Sequence, residues 1–585
     1  MRRHDAAIAA LALAASIPWG PARAAVASAP CTAVPLYEAG RVVGNVCAEA
    51  PGDDHVVLDL SDDWTPLVFS ETADLAQPYR ATFLTLANER VGPEARWRTA
   101  RRDRYFELFG IFPSLGVVRR RLLDVPRHAC HAAVDDGALA RIGRTIAPWD
   151  ENSNADPGRA DALGVVQAHL ACEGFLPRAA RPGVFDGATQ DALALYQRRH
   201  MIPSAAVVDR ETREALLTSS AELDFRTLLR VLRERVVDAS ALLEDGSAGA
   251  AWEPILGRFV DSPEYRPRLR PQPLPGAAPD LVDRATEAAA VALGWTSPDA
   301  AAAAMSAGVA ARVAVHAPPP PPYAGRIVDV RVEIDRGDVW TSYPLDAEGE
   351  RLPSPVKNRP TLTIFAITDG GEVPLVRWPT TIGAWKDEKL PDESVDLRYK
   401  PSPVGRAYWR DLVAAPAWFP PPTTPDRELV QPRGGGAWRA DDDAVGPGYR
   451  SAYGLLALIH VRASAAATGE NAFSDLAIRT HGSGNYRSIL RGSSHGCHRL
   501  FNHLALRLGS YLLAHHGFER RGVIREAYAR TIHWKGRTLK LRVDDRGYRY
   551  VLEPPVTVDV LPGRIVRSRA PAARRPMDLI VTPPG

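Results

Sequence analysis

The chain has 585 residues, of which 45% are hydrophobic and 24% are charged, and its formal net charge is +3 at pH 7. Because single hydrophobic cores stop growing at roughly 250–300 residues, this length predicts several domains, and the ordinary composition excludes wholesale disorder. So small a net charge gives no electrostatic basis for nucleic-acid binding, and no nucleic-acid partner is predicted.

Residues 1–24 have the pattern of an export signal. A basic start precedes an apolar Ala/Leu stretch at 6–15, and Ala-Arg-Ala at 22–24 offers a small-residue cleavage pattern. The apolar stretch is shorter than the ~20 residues that a membrane-spanning helix needs. We therefore expect an exported protein of the periplasm or cell wall with no stable membrane span in its mature form. A membrane-tethered N-terminus is the alternative.

The five cysteines are informative because an oxidising compartment tends to pair exposed thiols. Cys31 with Cys47, and Cys130 with Cys172, are plausible local pairs, although pairing does not follow from sequence. Cys497 is then left over. An odd thiol in an exported protein is accidental, intermolecular, or kept reduced because its chemistry is needed.

Residues 25–157 read as a globular N-terminal region of unknown role, and residues 158–220 contain three short stretches with helical spacing, with Thr189 and Thr212 as predicted N-caps. A more specific pattern in the second segment consists of Gln167, Leu170, Gly174, Phe175, Gly183, Phe185, Thr189, Ala192, Tyr196, Gln197, Asp209, Thr212 and Leu216. It resembles the three-helix peptidoglycan-binding domain of bacterial wall enzymes. The resemblance implies that peptidoglycan is the binding partner; a helical spacer that binds nothing is the alternative.

Residues 221–324 are predicted to be a helical segment followed by a Pro/Ala-rich linker. "FRTLLRVLRERVV" is its clearest amphipathic run, and five prolines at 318–322 favour extended polyproline II. Immediately beyond, "RIVDVRVEID" alternates apolar and charged residues and predicts the first strand of a β-rich domain. "TLTIFAI", "YGLLALIHV" and "DLAIRT" predict further strands, and "TLKLRVDDRGYRYVLE" predicts a hairpin that turns around Asp545 and Gly547.

The stretch "RTHGSGNYRSILRGSSHGCHRLFN" at 479–502 holds the leftover cysteine among histidines. A cysteine attacks carbonyls as the thiolate, and an imidazole can take the thiol proton and later return it to the leaving amine. Two imidazoles are available, His481 at the end of a predicted strand and His495 two residues before the cysteine. Gly496 lets the chain turn sharply so that successive N–H groups can point at one oxyanion. "NHLALRLGSYLLAHHG" then predicts an amphipathic helix with Asn502 as its N-cap.

This stretch resembles the signature of the L,D-transpeptidase catalytic domain of the YkuD type, a His-Gly pair followed by Ser-His-Gly-Cys-x-Arg. Upstream, "TTIGAWK", "KPSPVGRAYW" and "APAWFPPP" resemble the family's approach to its active site. The resemblance covers roughly residues 325–517, leaving a C-terminal β extension and tail at 518–585. It implies a multidomain α+β protein, in which the small three-helix domain accompanies a β-rich, YkuD-like β-sandwich catalytic domain.

The resemblance also assigns roles to individual residues. It implies that Cys497 is the nucleophile, that His481 is its acid/base partner, and that the carbonyl of Gly482 orients the imidazole. The amide of Cys497 would help to shape the oxyanion site. The remaining candidates are the oxyanion residues His495 and Gly496 and the residues Ser494 and Arg499, which would support the loop and the substrate.

The implied function is an exported enzyme that attacks a peptidoglycan stem tetrapeptide, expels the terminal D-alanine and passes the acyl group to a diaminopimelate amine, giving a 3→3 cross-link. No cofactor is needed and no metal site is predicted. Two alternatives remain, a hydrolytic L,D-carboxypeptidase and a non-catalytic wall-binding scaffold. A zinc site is a weaker interpretation because its candidate ligands lack metal-finger spacing: His481, His495, Cys497 and His498.

Overall fold

The structure is a computed structural model that describes residues 31–52, 54–61, 64–70, 115–130, 134, 137, 139, 157–176, 180–200, 208, 210–249, 272–317, 329–432, 437–448, 451–463 and 472–567. The export signal, the proline run at 318–322 and the end of the basic tail lie outside these residues. The helices are Leu67–Ser70, Leu115–Leu122, Val125–His128, Pro157–Cys172, Gly187–Arg199, Arg210–Leu217, Ser220–Ser240, Leu281–Ala292, Pro298–Ala307, Asp442–Val445, Tyr486–Arg491 and Asn502–His515, and a 3-10 helix spans Asp426–Leu429.

The strands are β1 (Ala33–Glu38), β2 (Arg41–Cys47), β3 (His55–Asp59), β4 (Arg312–His316), β5 (Asp329–Asp335), β6 (Asp338–Trp340), β7 (Thr361–Thr368), β8 (Gly371–Pro379), β9 (Ile382–Gly383), β10 (Trp385–Lys389), β11 (Val395–Tyr399), β12 (Gly405–Ala414), β13 (Val430–Pro432), β14 (Trp438–Ala440), β15 (Leu456–Ala463), β16 (Phe473–Ser483), β17 (Ser493–Ser494), β18 (His498–Phe501), β19 (Phe518–Val523), β20 (Tyr528–Trp534), β21 (Arg537–Val543), β22 (Tyr548–Val560) and β23 (Arg564–Val566).

The first strands of the chain share a sheet with β4, which lies more than 250 residues further on, and its order is β2–β1–β4–β3. The helices Ser220–Ser240 and Leu281–Ala292 contribute to the same core as this sheet, and Trp295 is fully buried within it. The segments 25–157 and 221–324, which the sequence analysis treats separately, therefore contribute to one α/β unit.

A second small core forms where the sequence predicts the three-helix domain, and the three predicted helices are confirmed as Pro157–Cys172, Gly187–Arg199 and Arg210–Leu217. Their apolar faces meet because the helical spacing places them on one side of each helix. The buried core residues include Leu163, Val166, Leu170, Phe175, Phe185, Ala192, Leu193, Tyr196 and Leu216.

The prediction that Thr189 and Thr212 cap helices is wrong, because both lie inside them. Asp186 is the capping residue for the second helix, since its carboxylate accepts the Thr189 N–H at 2.9 Å. The threonine hydroxyls instead satisfy buried amides. Gln167 Nε2 donates to Thr189 Oγ1 at 2.8 Å, and Gln197 Nε2 donates to Thr212 Oγ1 at 2.9 Å.

Four of the five cysteines are paired. Cys31 bonds Cys47 with a Cα–Cα distance of 5.3 Å, and Cys130 bonds Cys172 with a distance of 5.6 Å. Cys497 is the free thiol. The unpaired sulfur is therefore the one in the Ser-His-Gly-Cys motif.

The C-terminal half of the chain contains a curled sheet of order β18–β16–β15–β12–β22–β5–β7–β8, with β19 beside β22. The strands predicted from "TLTIFAI", "YGLLALIHV" and "DLAIRT" are confirmed as β7, β15 and β16. β5 buries Val330, Val332 and Ile334, as its alternating sequence predicts. The long strand β22 pairs with both β12 and β5, so the C-terminal extension completes the middle of this sheet.

The predicted hairpin around Asp545 and Gly547 is wrong. β21 pairs with β20 through a turn at Lys535 and Gly536, whose φ values of 47° and 73° suit a tight hairpin, while β22 joins the main sheet. The local sequence pattern correctly predicts that β21 and β22 are strands. The pattern does not predict which strands they pair with, because β22 pairs with strands more than 130 residues away.

The helix Asn502–His515 packs against the sheet with the inward face that its spacing predicts. Its N-cap is Phe501 rather than the predicted Asn502, whose Oδ1 instead accepts the Leu455 N–H at 3.3 Å. That contact ties the start of the helix to the start of β15. The buried residues of the predicted face are Leu504, Leu508, Tyr511 and Leu512.

Buried polar contacts join the α/β unit to the region of the curled sheet. Arg507 Nε donates to Glu234 at 3.0 Å, and Trp378 Nε1 donates to Asp245 Oδ2 at 2.8 Å. Such buried groups cost desolvation and favour a specific arrangement more than they add net stability. The helix that follows the motif is therefore held in register against Ser220–Ser240.

Candidate active site

The parallel strands β16 and β18 bring the two ends of the motif together. Their register pairs His481 with Arg499, so Cys497, two residues before Arg499, lies beside Arg479. Side chains alternate along a strand, and therefore these four point to the same side of the sheet. Two residues span about 6.6 Å of strand, which makes Cys497 and His481 diagonal neighbours. We call this side, defined by Arg479, His481, Cys497 and Arg499, the Cys497 face.

The thiol of Cys497 is protonated at neutral pH. Its burial raises the thiol pKa, and this effect outweighs the backbone N–H of Arg479, which donates to the sulfur, and the nearby guanidinium groups of Arg479 and Arg499. The Arg479 guanidinium is itself held by Asp475, with Nη1 2.6 Å and Nη2 2.7 Å from the two carboxylate oxygens. The fixed guanidinium next to the sulfur favours the thiolate when it forms, although the charge of Asp475 acts in the opposite direction.

The imidazole of His481 is oriented by the next residue in the chain. Its Nδ1 lies 2.7 Å from the carbonyl oxygen of Gly482; because a carbonyl only accepts, Nδ1 carries the proton and Nε2 is left as the basic nitrogen. Tyr453 contacts the ring edge-to-face at a centroid distance of 4.9 Å. Burial, helped by the charge of Arg499, lowers the pKa of His481 to about 3, so this base is neutral at physiological pH.

The glycine after His481 is required by close packing. A Cβ on Gly482 would lie 2.3 Å from Asn502 Oδ1, which is closer than any real Cβ contact. Asn502 Oδ1 is fixed there by its hydrogen bond to the Leu455 amide. The carbonyl that holds the imidazole is therefore locked between the sheet and the following helix.

The loop before Cys497 is fastened by hydroxyl groups. Ser494 is fully buried; its Oγ donates to the Cys497 carbonyl at 2.6 Å and accepts the Gly496 N–H at 3.1 Å. Thr381 Oγ1 reaches the same carbonyl at 2.7 Å. Gly496 has a φ of 113°, and a Cβ there would lie 2.9 Å from the Pro401 oxygen. Ser494 therefore stabilises the loop, and the Gly496 N–H is used in a hydrogen bond to the Ser494 side chain.

The two remaining candidates are placed differently: His495 lies at the rim of the Cys497 face, whereas Arg499 is one of the residues that define it. His495 is exposed; desolvation in the cleft and the charge of Lys386 lower its pKa to about 4, so its ring is neutral. Arg499 Nη1 donates to Ser488 Oγ at 2.9 Å. Its buried Nε has no hydrogen-bond partner within the residues that the structure describes.

The opposite side of β16 and β18, together with the neighbouring strand β15, carries a different set of polar groups. We call this side, defined by Thr480, His498 and His460, the His498 face. His498 is fully buried, and its Nδ1 lies 3.0 Å from the Thr381 carbonyl. Its ring lies 5.2 Å from that of His460, which contacts Thr480 Oγ1 at 2.8 Å and Trp409 Nε1 at 2.9 Å. The sheet therefore separates His498 from the sulfur.

This separation bears on the zinc interpretation. In the described ranges, the groups of side chains close enough to share a metal ion are Cys31 with Cys47 and Glu49, and Asp54 with His55 and His316. The four ligands that the zinc interpretation requires are not among them. Their imidazoles lie on two faces and a rim rather than around one point.

Two parts of the chain match models of known protein families. Residues 356–516 match the YkuD model, the L,D-transpeptidase catalytic domain, and residues 159–216 match the model of a peptidoglycan-binding domain. The chain contains an L,D-transpeptidase catalytic domain. It is therefore a cysteine transpeptidase enzyme of multidomain α+β fold, and its two peptidoglycan-directed domains imply a location in the cell envelope. A search among curated proteins found no match.

The transpeptidase domain is larger in the structure than the matched residues. Strands β5 and β22 belong to its sheet but lie outside 356–516. A cavity of about 290 Å³ opens beside the Cys497 face, where Tyr453 and Arg479 form part of its lining, and Ile524 and Arg546 of the C-terminal extension form another part. None of the helices that the structure describes is both long and apolar enough to cross a membrane.

Sequence reasoning missed three residues of the site. Arg479 precedes His481 by two residues in one strand, so the alternation that predicts the strand also places it on the same face. Thr381 lies in "TTIGAWK", a segment noted only for its resemblance. Tyr453 carries no signal, because its contact with His481 depends on the pairing of β15 with β16.

Proposed function

We propose that this L,D-transpeptidase is exported and forms 3→3 peptidoglycan cross-links through a thioester on Cys497, with release of terminal D-alanine. The observation that carries the proposal is the Cys497 face. A free thiol, an imidazole whose Nε2 is unprotonated and two guanidinium groups lie there on the same side of adjacent strands. Acyl transfer requires this combination of nucleophile, base and charge stabilisation.

In the first step, the sulfur attacks the carbonyl carbon of the L-centre while His481 Nε2 takes the thiol proton. The tetrahedral intermediate then collapses: the C–N bond breaks, the proton passes from Nε2 to the leaving nitrogen, and D-alanine departs. Because the resting thiol and imidazole are both neutral, the proton moves as the substrate is attacked rather than beforehand.

The oxyanion of this intermediate needs a donor and a positive environment. The Gly496 N–H donates to Ser494, so we assign the Cys497 amide as the backbone donor. Arg499 supplies positive charge from the same face, and we assign its guanidinium to the support of the substrate. Gly496 shapes the loop next to the oxyanion site, and His495 shapes its rim.

In the second step, a diaminopimelate amine attacks the thioester carbonyl, His481 accepts the amine proton, and the sulfur leaves and recovers a proton. The cavity beside Tyr453 and Arg479 is an entry route for this acceptor. Water entering by the same route would give the carboxypeptidase reaction.

The other parts of the chain have supporting roles in this proposal. Residues 1–24 direct export, and the domain at 158–220 holds the enzyme on its polymer, which raises the effective concentration of stem peptides. The catalytic domain at 325–517 is completed by the β extension of 518–585. The segments 25–157 and 221–324 position these two functional domains.

Product analysis tests the proposal. Purified protein is incubated with tetrapeptide muropeptides, and products are separated and weighed by mass spectrometry, with Cys497→Ala as the matched control. Cross-linked dimers together with free D-alanine, absent from the control, are the expected result. Tripeptides without dimers would establish hydrolysis instead, and retention on wall sacculi without turnover would leave only a scaffold.

A further inference from the structure

A second cluster of metal-ligating side chains lies in the α/β unit, away from the Cys497 face. Strands β3 and β4 are antiparallel with His55 directly opposite His316, and the two rings lie 4.4 Å apart. Asp54 precedes His55, and its oxygens lie 2.6 Å from His55 Nδ1 and 3.9 Å from His316 Nδ1. One carboxylate therefore stands between two imidazole nitrogens that come from distant parts of the sequence.

We propose that Asp54, His55 and His316 form a binding site for one divalent transition-metal ion of the zinc type. One ligand atom from each residue lies within 4.8 Å of the others. Zinc bonds nitrogen and carboxylate oxygen at about 2.0–2.2 Å, so small side-chain rotations bring the three atoms around one ion. Two imidazoles with a carboxylate favour zinc, copper or nickel over calcium or magnesium, which prefer oxygen ligands.

A fourth residue, Glu38, contacts the ring nitrogen of His316 that faces away from Asp54. The parallel register of β1 and β4 pairs Leu36 with Ala314, which places Glu38 beside His316. Glu38 Oε1 lies 3.0 Å from His316 Nε2. A carboxylate that accepts the second ring N–H of a histidine fixes its tautomer and makes the other nitrogen a better ligand. Glu38 therefore directs the Nδ1 of His316 towards the Asp54 carboxylate.

The charges and exposure of these residues suit a bound cation. Asp54 and Glu38 carry two negative charges, and the paired histidines are neutral when they act as ligands, so one divalent ion balances the cluster. Asp54 and His316 are exposed and His55 is partly exposed, which gives an ion access from solvent. With three protein ligands the fourth position is open to water.

The site would connect three strands of one sheet. It links the loop before β3 to the last residue of β4, with β1 holding the supporting carboxylate. Binding only to the folded chain stabilises it by mass action, and here the stabilised element is the sheet that joins the N-terminal strands to the later helices. The inference is independent of the chemistry at Cys497.

Zinc titration of the full chain tests the site, using Cys497→Ser protein so that the catalytic thiol cannot act as a competing ligand. Isothermal titration with Zn²⁺ alone is expected to give one ion per chain, and the ion is expected to raise the melting temperature. His316→Gln should abolish the bound equivalent, while His533→Gln, which changes an exposed histidine of the β20–β21 hairpin, should keep it.

Glu38→Gln separates direct ligation from general surface binding, because Glu38 supports His316 without touching the ion. Loss of a supporting carboxylate typically weakens metal affinity about 10–100-fold, and we expect a decrease of that size with unchanged stoichiometry. The proposal is overturned if Cys497→Ser protein binds no stoichiometric zinc, or if His316→Gln retains the ion while melting like the parent without metal.

Discussion

The two faces of strands β16 and β18 use the same residue types for opposite purposes. On the Cys497 face, His481 and Cys497 lie among guanidinium groups beside a cavity of about 290 Å³. On the His498 face, His498 and His460 are fully enclosed and hydrogen-bonded to backbone, threonine and indole groups. Neighbouring residues of one short motif therefore lie in two unlike environments.

The comparison shows that the role of a histidine in this motif depends on the side of the sheet it occupies as much as on its residue type. Cys497 and His498 are adjacent in sequence, and the alternation of a strand places Cys497 on the side of the sheet that carries Arg479 of the cavity lining and His498 on the opposite, buried side. Both histidines have lowered pKa values, about 3 for His481 and about 4 for His498, and burial is the main cause in each case. What distinguishes them is that the free thiol of Cys497 lies on the same side of the sheet as His481.

The largest expected effect comes from removing the base on the Cys497 face. His481→Gln should lower turnover of tetrapeptide muropeptides by about 10²–10⁴-fold, the usual contribution of a general acid/base. The matched change His498→Gln on the other face should reduce turnover less than about tenfold, because it touches no reacting atom. Comparable losses in the two variants, measured as initial rates, would contradict the assignment of roles.

The thiol should titrate as a buried group flanked by positive charge. The rate of Cys497 alkylation by iodoacetamide should keep rising above pH 9, because burial raises the thiol pKa, with no plateau near pH 6–7. Arg479→Gln should slow alkylation at pH 8 by about tenfold, equivalent to one further pKa unit. His460→Phe, on the other face, is the control and should leave the profile unchanged; a plateau near neutrality would mean that an ion pair already exists.

A smaller effect concerns stability on the His498 face. A histidine whose folded-state pKa is lowered contributes stability above its unfolded pKa of about 6.5 and loses it as pH falls towards the folded value. The folded-state pKa of His498 is about 4. Protonation of this ring in the unfolded chain should therefore lower the free energy of unfolding by roughly 2–3 kcal/mol between pH 7.5 and pH 4.5. His498→Gln should remove that part of the pH dependence in urea unfolding. An unchanged pH slope would show that this ring is not protonated on unfolding.

The smallest predicted effect concerns the buried hydrogen bonds behind the motif. His460→Phe leaves the Trp409 N–H and the Thr480 hydroxyl without their partner, which costs about 1–3 kcal/mol in a buried setting. Urea unfolding should show this loss at pH 7.5, with alkylation of Cys497 unaffected. If the variant is as stable as the parent, the His498 face is wetter than its enclosure indicates.

The sequence predicts the local features of this molecule well and its long-range pairing poorly. Strand alternation around Val330 and the Gly-bounded spacing of His481 and Cys497 are local signals, and both correspond to elements of the structure. The pairing of β22 with β12 and β5, and of β4 with β1 and β3, joins segments more than 100 residues apart. Such pairings depend on the whole core and carry no local signature, as the misassigned hairpin at Asp545 shows.

The candidate site divides in the same way. The thiol, the imidazole and the turn at Gly496 could be predicted because they combine the residue types that the chemistry needs and lie, in this chain, within one short stretch. The supporting hydroxyl of Thr381 comes from more than 100 residues away and could not be predicted from spacing. Ser494 could be named, but only its burial identifies it as a support for the loop.

The most direct test of the account is the intact mass of the protein during its first turnover. Wild-type protein and the His498→Gln variant, mixed rapidly with a tetrapeptide muropeptide and quenched in acid, should gain the mass of the muropeptide less that of D-alanine, localised to Cys497 by peptide mapping. His481→Gln should gain it at least about 100-fold more slowly. An adduct that forms equally fast without His481, or one that maps to another residue, would contradict the claim that the Cys497 face is the catalytic centre.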